Sequence, residues 1–100
     1  MIISVFIFKN DSLNAAKSFI ENRLNVKLSY RDSSFRGGTY CRGKSDEFPE
    51  ILIEINFDDE DDEVIIGGYS TDNYTITMYH DDKPVREILE CDEVELISEK

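Results

Sequence analysis

Hydrophobic positions along this chain fall into short runs with distinct periods. Ile2-Ile3-Ser4-Val5-Phe6-Ile7-Phe8 is β-branched and aromatic nearly throughout, as expected of a strand covered on both faces. Asn10, Asp11 and Ser12 follow as helix N-cap candidates. Leu13, Ala16, Ile20 and Leu24 then recur at helical spacing with Phe19 beside them. The spacing predicts a helix of about three to four turns, with Lys17, Glu21 and Arg23 toward water and Asn22 and Asn25 weakening its end. Residues 26–30 alternate apolar and polar, which predicts a strand with one wet face.

The stretch from Tyr30 to Tyr40 breaks this regularity by being polar, turn-rich and basic, with Gly37-Gly38 as its turn or bulge. Thr39-Tyr40-Cys41-Arg42 begins a return strand. Residues 43–46 turn again, and Pro49 delays pairing until a robust strand over 50–57. Asp58-Asp59-Glu60-Asp61-Asp62-Glu63 cannot pack and reads as an exposed loop. Val64-Ile65-Ile66 reads as a short strand or a hydrophobic plug ended by Gly67-Gly68, and 73–80 as a clear strand. Residues 81–84 form a turn or a helix start with Pro84 near its first position. Val85, Ile88 and Leu89 suggest one short helical face, and Val94, Leu96 and Ile97 a last strand. The expected fold is a single α+β domain over residues 1–100. It is mainly an antiparallel sheet with one long helix on one face, in the order β-α-β-β-β-β, with an optional short second helix and last strand.

Composition supports a packed core. For 11.6 kDa, surface scaling gives about 5,800 Å² folded against about 17,000 Å² unfolded. The 40% hydrophobic share argues against disorder despite the charge. The net charge of −11 is unevenly placed: residues 1–50 carry eight Lys/Arg against six Asp/Glu, and residues 51–100 three against sixteen. Nucleic acid and anionic lipid are repelled by such a half, and basic proteins are drawn to it. The expected partner is therefore a basic protein, with no direct nucleic-acid or membrane binding. Cys41 and Cys91 form no CxxC pair, which favours free thiols in a reducing compartment. The N-terminal apolar run lacks a basic leader and a cleavage site, so the cytoplasm is expected.

Four constellations are candidates for function. The six carboxylates at 58–63 can imitate a phosphate backbone and enter a cationic groove. A calcium loop competes with that reading, but the run lacks EF-hand spacing, the central Gly and the terminal Glu. Asp72, Asp81 and Asp82 are supporting charges, and Tyr69 and Tyr74 are candidate interface anchors. In the basic stretch, Arg31, Ser33, Ser34, Arg36, Gly37 and Gly38 compose an alternative anion-binding loop. Its structural reading is a strand–turn–strand connection in which the serines bond backbone and Phe35 and Tyr40 pack. His80 with Cys41 or Cys91 makes a conceivable nucleophilic pair, outweighed by buried or idle thiols. No enzyme activity, cofactor or metal is expected.

The run Asp32-Ser33-Ser34-Phe35-Arg36-Gly37-Gly38-Thr39-Tyr40 has a helix before it and an Ile/Leu-rich strand ending in Asn56-Phe57-Asp58 after it. Over roughly residues 20–80 it resembles small acidic bacterial immunity proteins of contact-dependent inhibition and other polymorphic toxin systems. That resemblance implies a cytoplasmic protein that binds and neutralises one toxin domain. The acidic half points to a basic toxin, most simply a nuclease blocked at its active site. A phage-type nucleic-acid mimic, aimed at a host DNA-binding protein, shares the same acidic face.

Overall fold

The computed structural model describes residues 1–33, 38–58, 61–81 and 84–100. Its elements are β1 (Ile2–Phe8), α1 (Leu13–Leu24), β2 (Leu28–Ser33), β3 (Gly38–Gly43), β4 (Glu50–Ile55), β5 (Tyr74–His80), α2 (Val85–Leu89) and β6 (Val94–Glu99). The six strands form one sheet in the order β2-β3-β4-β5-β1-β6, and every neighbouring pair is antiparallel. The fold is α+β as expected, with α1 packed on β3 and β4 and against α2. Among the described residues, no helix is long and apolar enough to cross a membrane.

Register decides which side chains share a face. Ser4, Phe6 and Phe8 stand opposite Met78, Ile76 and Tyr74 of β5, and Ile53 of β4 stands opposite both Ile76 and Cys41. These residues, with Ile51, Leu28 and Val94, make the inner face. Ala16 and Ile20 of α1 and Val85 and Leu89 of α2 close over it, all fully buried. Phe19 reaches Phe8 with ring centroids 5.7 Å apart. The outer face carries the intervening positions, including Ile3, Val5, Leu52, Thr77, Tyr79, Arg31 and Arg42. β1 was expected to be covered on both faces. It is so only in its C-terminal half, where Phe6, Ile7 and Phe8 are buried, whereas Ile3 is exposed.

Local chemistry sets the boundaries of α1. The Ser12 hydroxyl accepts from Ala15 N–H at 3.1 Å, and Asn25 ends the helix in the left-handed region at φ 54°. Glu21 then fastens the helix to the sheet edge. Its carboxylate accepts from Leu28 N–H at 3.0 Å and from Lys17 Nζ at 3.0 Å. Tyr30 adds a second clasp, donating to Asn14 Oδ1 at 2.7 Å while Lys17 lies over its ring.

Two expectations are corrected. The strand expected at 26–30 starts and ends later and runs into the basic stretch, because residues 28–33 pair with 38–43 without interruption. Its hairpin is braced by Thr39 donating to Asp32 at 2.8 Å, and Gly38 takes φ +104°. Residues 64–66 do not form a strand: Val64 and Ile65 are exposed, and Ile66 is half-buried.

The Glu21 carboxyl lies below its ordinary 4.5, first through the Leu28 N–H and then through Lys17. Its contribution to stability is therefore complete above about pH 4.5 and fades as pH falls through the depressed folded value. Glu21→Ala should lower stability by about 1 kcal/mol at pH 7. Thermal melts of both proteins should converge on acidification below pH 4. Cys41 is fully buried and its thiol is pushed up to about 11 by desolvation, whereas Cys91 is exposed. Titration with a thiol reagent at pH 8 should modify one cysteine rapidly in the native protein, Cys91, and release the second only on unfolding.

Candidate protein-interaction surface

The C-terminal ends of β1 and β4 and the N-terminal ends of β5 and β6 meet at one end of the sheet, where Phe8 stands opposite both Tyr74 and Val94. The loops leaving that end carry Asp11, Asp58, Asp61, Asp62, Glu63, Asp72 and Glu93, with Lys9 among them. Sequence distance concealed the contributions of Asp11 and Glu93, which join this end only through the pairing of β1. Lys9 N–H donates to Glu93 O at 2.7 Å. A shallow depression of about 410 Å³ lies here, lined by Lys9, Asn10, Asp11, Ser70, Asp72 and Asn73.

The described ends of the acidic loop are tied to each other. Asp58 and Glu63 exchange backbone hydrogen bonds at 2.8 and 3.2 Å, and Asp62 occupies the left-handed region at φ 54°. Asp residues tolerate that region better than most non-glycine residues. Below the turn, Asn56 is fully buried. Its side chain donates to Ile66 O at 3.2 Å and Ser70 O at 3.1 Å and accepts from Ile66 N–H at 2.7 Å. Its backbone N–H donates to Asn73 O at 2.8 Å. One amide thus satisfies three backbone groups of the crossing from β4 to β5. A buried amide spends its hydrogen-bonding capacity this way where burial without partners would be costly. Asn56 was read only as the end of a strand, and its position after an apolar run was the sole signal available.

Asp58, Asp61, Asp62, Glu63 and Asp72 come together, whereas Asp59 and Glu60 lie outside the described residues. Asp81 follows the far end of β5, a strand of seven residues that at about 3.3 Å per residue carries the chain about 20 Å from the acidic end. It therefore does not support the acidic loop, and Asp82 lies outside the described residues. Tyr74 points to the inner face and packs on the core. Burial first, then Asp11 and Asp72, raises its phenol. It is not an exposed anchor, and Tyr69 is half-buried. The exposed apolar groups on this loop are instead Val64 at 37% and Ile65 at 52%.

The basic stretch is distributed differently from its sequence reading. Arg31 lies on the outer face of β2 and Ser33 pairs with Gly38, but Ser34, Arg36 and Gly37 lie outside the described residues. The anion-loop reading therefore rests on residues of which only Arg31 and Gly38 are fully described. His80 meets neither cysteine. It is fully buried, with Nε2 at 2.8 Å from Ser4 Oγ and Nδ1 against Asp81 O, while Ser4 Oγ also reaches Glu99 Oε2 at 3.1 Å. This cluster ties β1, β5 and β6 together below the surface. Among the described residues, no three His, Cys, Asp or Glu converge as metal ligands. No family model matches the chain, and comparisons with curated proteins and with solved structures likewise returned no match.

Replacing Asn56 with Ala would leave Ile66 N–H, Ile66 O and Ser70 O without their partner. The expected cost is about 2–3 kcal/mol in denaturant unfolding. Hydrogen exchange should also accelerate at Ile66 N–H more than at the strand amides of β4.

Proposed function

We propose that this protein is an immunity-type inhibitor that docks its acidic end on a basic toxin domain of nuclease chemistry and occludes the active site. The observation that carries this reading is the acidic turn: Asp58 and Glu63 close it through backbone hydrogen bonds, Asn56 ties down the segment that follows at Ile66, and Val64 and Ile65 between them are exposed. Preorganised charge speeds encounter with a basic surface at little ordering cost. Two exposed apolar side chains directly after the acidic turn suit an interface in which apolar anchors sit within a polar rim. Val64 and Ile65 take the anchor role first assigned to Tyr69 and Tyr74. Binding requires no catalysis, cofactor or membrane, and it suits a cytoplasmic protein that shields its own cell.

The test is inhibition of the toxin domain encoded beside this gene. Stoichiometric addition should abolish its nucleic-acid cleavage, and persistent cleavage with no complex on a sizing column would refute the reading. Changing Asp58, Asp61, Asp62 and Glu63 to their amides should slow association at least tenfold at low salt and flatten its salt dependence, while the melting temperature holds. Ile65→Ser should act mainly on dissociation, raising it several-fold. Stopped-flow traces read both rates. An unchanged association rate would remove the acidic loop from the interface.

A further inference from the structure

The acid-rich chain keeps a cationic corner at the end of β4 opposite the acidic loop. Pairing of Leu28 with Gly43 and of Ser29 with Arg42 sets rungs across the β2–β3 ladder. Continued one residue, the register brings Lys27 level with Lys44. Lys27, Ser29 and Arg31 alternate onto the outer face of β2, and Arg42 and Lys44 onto that of β3. Together with Gly43 and Pro49 they line a depression of about 430 Å³, within the range of small-molecule sites. The four cations are exposed.

Like charges on neighbouring rungs oppose sheet pairing. The arrangement is nonetheless tightly built, because a Cβ added at Gly43 would lie 2.4 Å from Leu28 Cδ2 and 2.5 Å from Lys27 O. That close approach draws the lysine-bearing ends of the two strands together. Glu50 lies 3.2 Å from Arg42, and it is absent from the lining of the depression.

We propose that the outer face of the β2–β3 corner binds a compact phosphate anion, of the pyrophosphate or nucleoside-phosphate class, through Lys27, Arg31, Arg42 and Lys44. Guanidinium forks match phosphate oxygens in pairs, ammonium groups add point charge, and the Ser29 hydroxyl supplies a neutral donor. The ligand must be compact, because beyond this corner the −11 chain repels any long polyanion. This site is separate from the acidic end and independent of the inhibitor reading.

The test is calorimetric titration of the full chain with inorganic pyrophosphate and with ATP, against adenosine and against sodium chloride of matched ionic strength. Saturable binding of pyrophosphate, ATP or both is expected, with neither control binding. Tighter binding of ATP would identify the nucleoside phosphate as the ligand, and equal binding would identify the phosphate group alone. Arg31→Gln and Lys44→Gln should each weaken binding about tenfold. Lys9→Gln, a cation at the acidic end, should leave it unchanged. All three substituted side chains are exposed, and unliganded melting temperatures confirm folding. Heats that sodium chloride reproduces, or equal affinity in Arg31→Gln and the parent, would overturn the proposal.

Discussion

One face of a six-stranded sheet has to be removed from water by very little helix, and most of the architecture follows from that constraint. At 12 residues, α1 is about 18 Å long, while six strands at about 4.8 Å spacing span about 24 Å. The helix covers β3 and β4, and its Phe19 reaches Phe8 of β1. The five residues of α2 bring Val85 and Leu89 to complete the cover. No helix remains for the other face. It persists as a mixed surface in which Ile3 is exposed while Ile7 and Leu52 are buried, and the cationic corner occupies its β2–β3 end.

The sheet also separates charge. β4 works as a ruler, with Gly43 opposite Ile51 near its start and the acidic turn just beyond its end. The five residue steps of the strand span about 17 Å, about two Debye lengths at physiological salt. The basic corner and the acidic end are thus screened from one another and act as separate fields. A partner approaching from solution meets a molecule that is attractive at one pole and repulsive at the other, which restricts how it can arrive.

Much of this was legible in residue patterns. The α1 stripe, its Ser12 cap and the alternation of 73–80 carried their own periods, and the α+β class followed from them. Less legible was everything that depended on pairing. Arg31 belongs with Arg42 and Lys44 because a hairpin register places them there. Asp81 leaves the acidic cluster because β5 runs away from it. Val64 and Ile65 were read as part of a short strand or a hydrophobic plug because they are apolar, yet they stand exposed after the turn closed by Asp58 and Glu63. Tyr74 was offered as an anchor because aromatics favour interfaces, but the pleat directs it inward. In each case what the sequence withheld was the direction of the side chain, since direction is a property of neighbours distant in the chain.

The position of β1 has a consequence for how the molecule comes into being. Ile2 pairs with His80, and Ile3 exchanges backbone hydrogen bonds with Lys100. β1 is thus clasped between β5 and β6, the two strands farthest from it along the sequence. The hairpin of β2 and β3 and the turn to β4 can assemble as they emerge, whereas β1, six of whose seven residues are apolar, has no ladder partner until β5 arrives. At roughly 5–20 residues per second, a nascent chain carries this unpaired hydrophobic segment for several seconds. During synthesis the segment needed for closure is thus also one open to association with other chains.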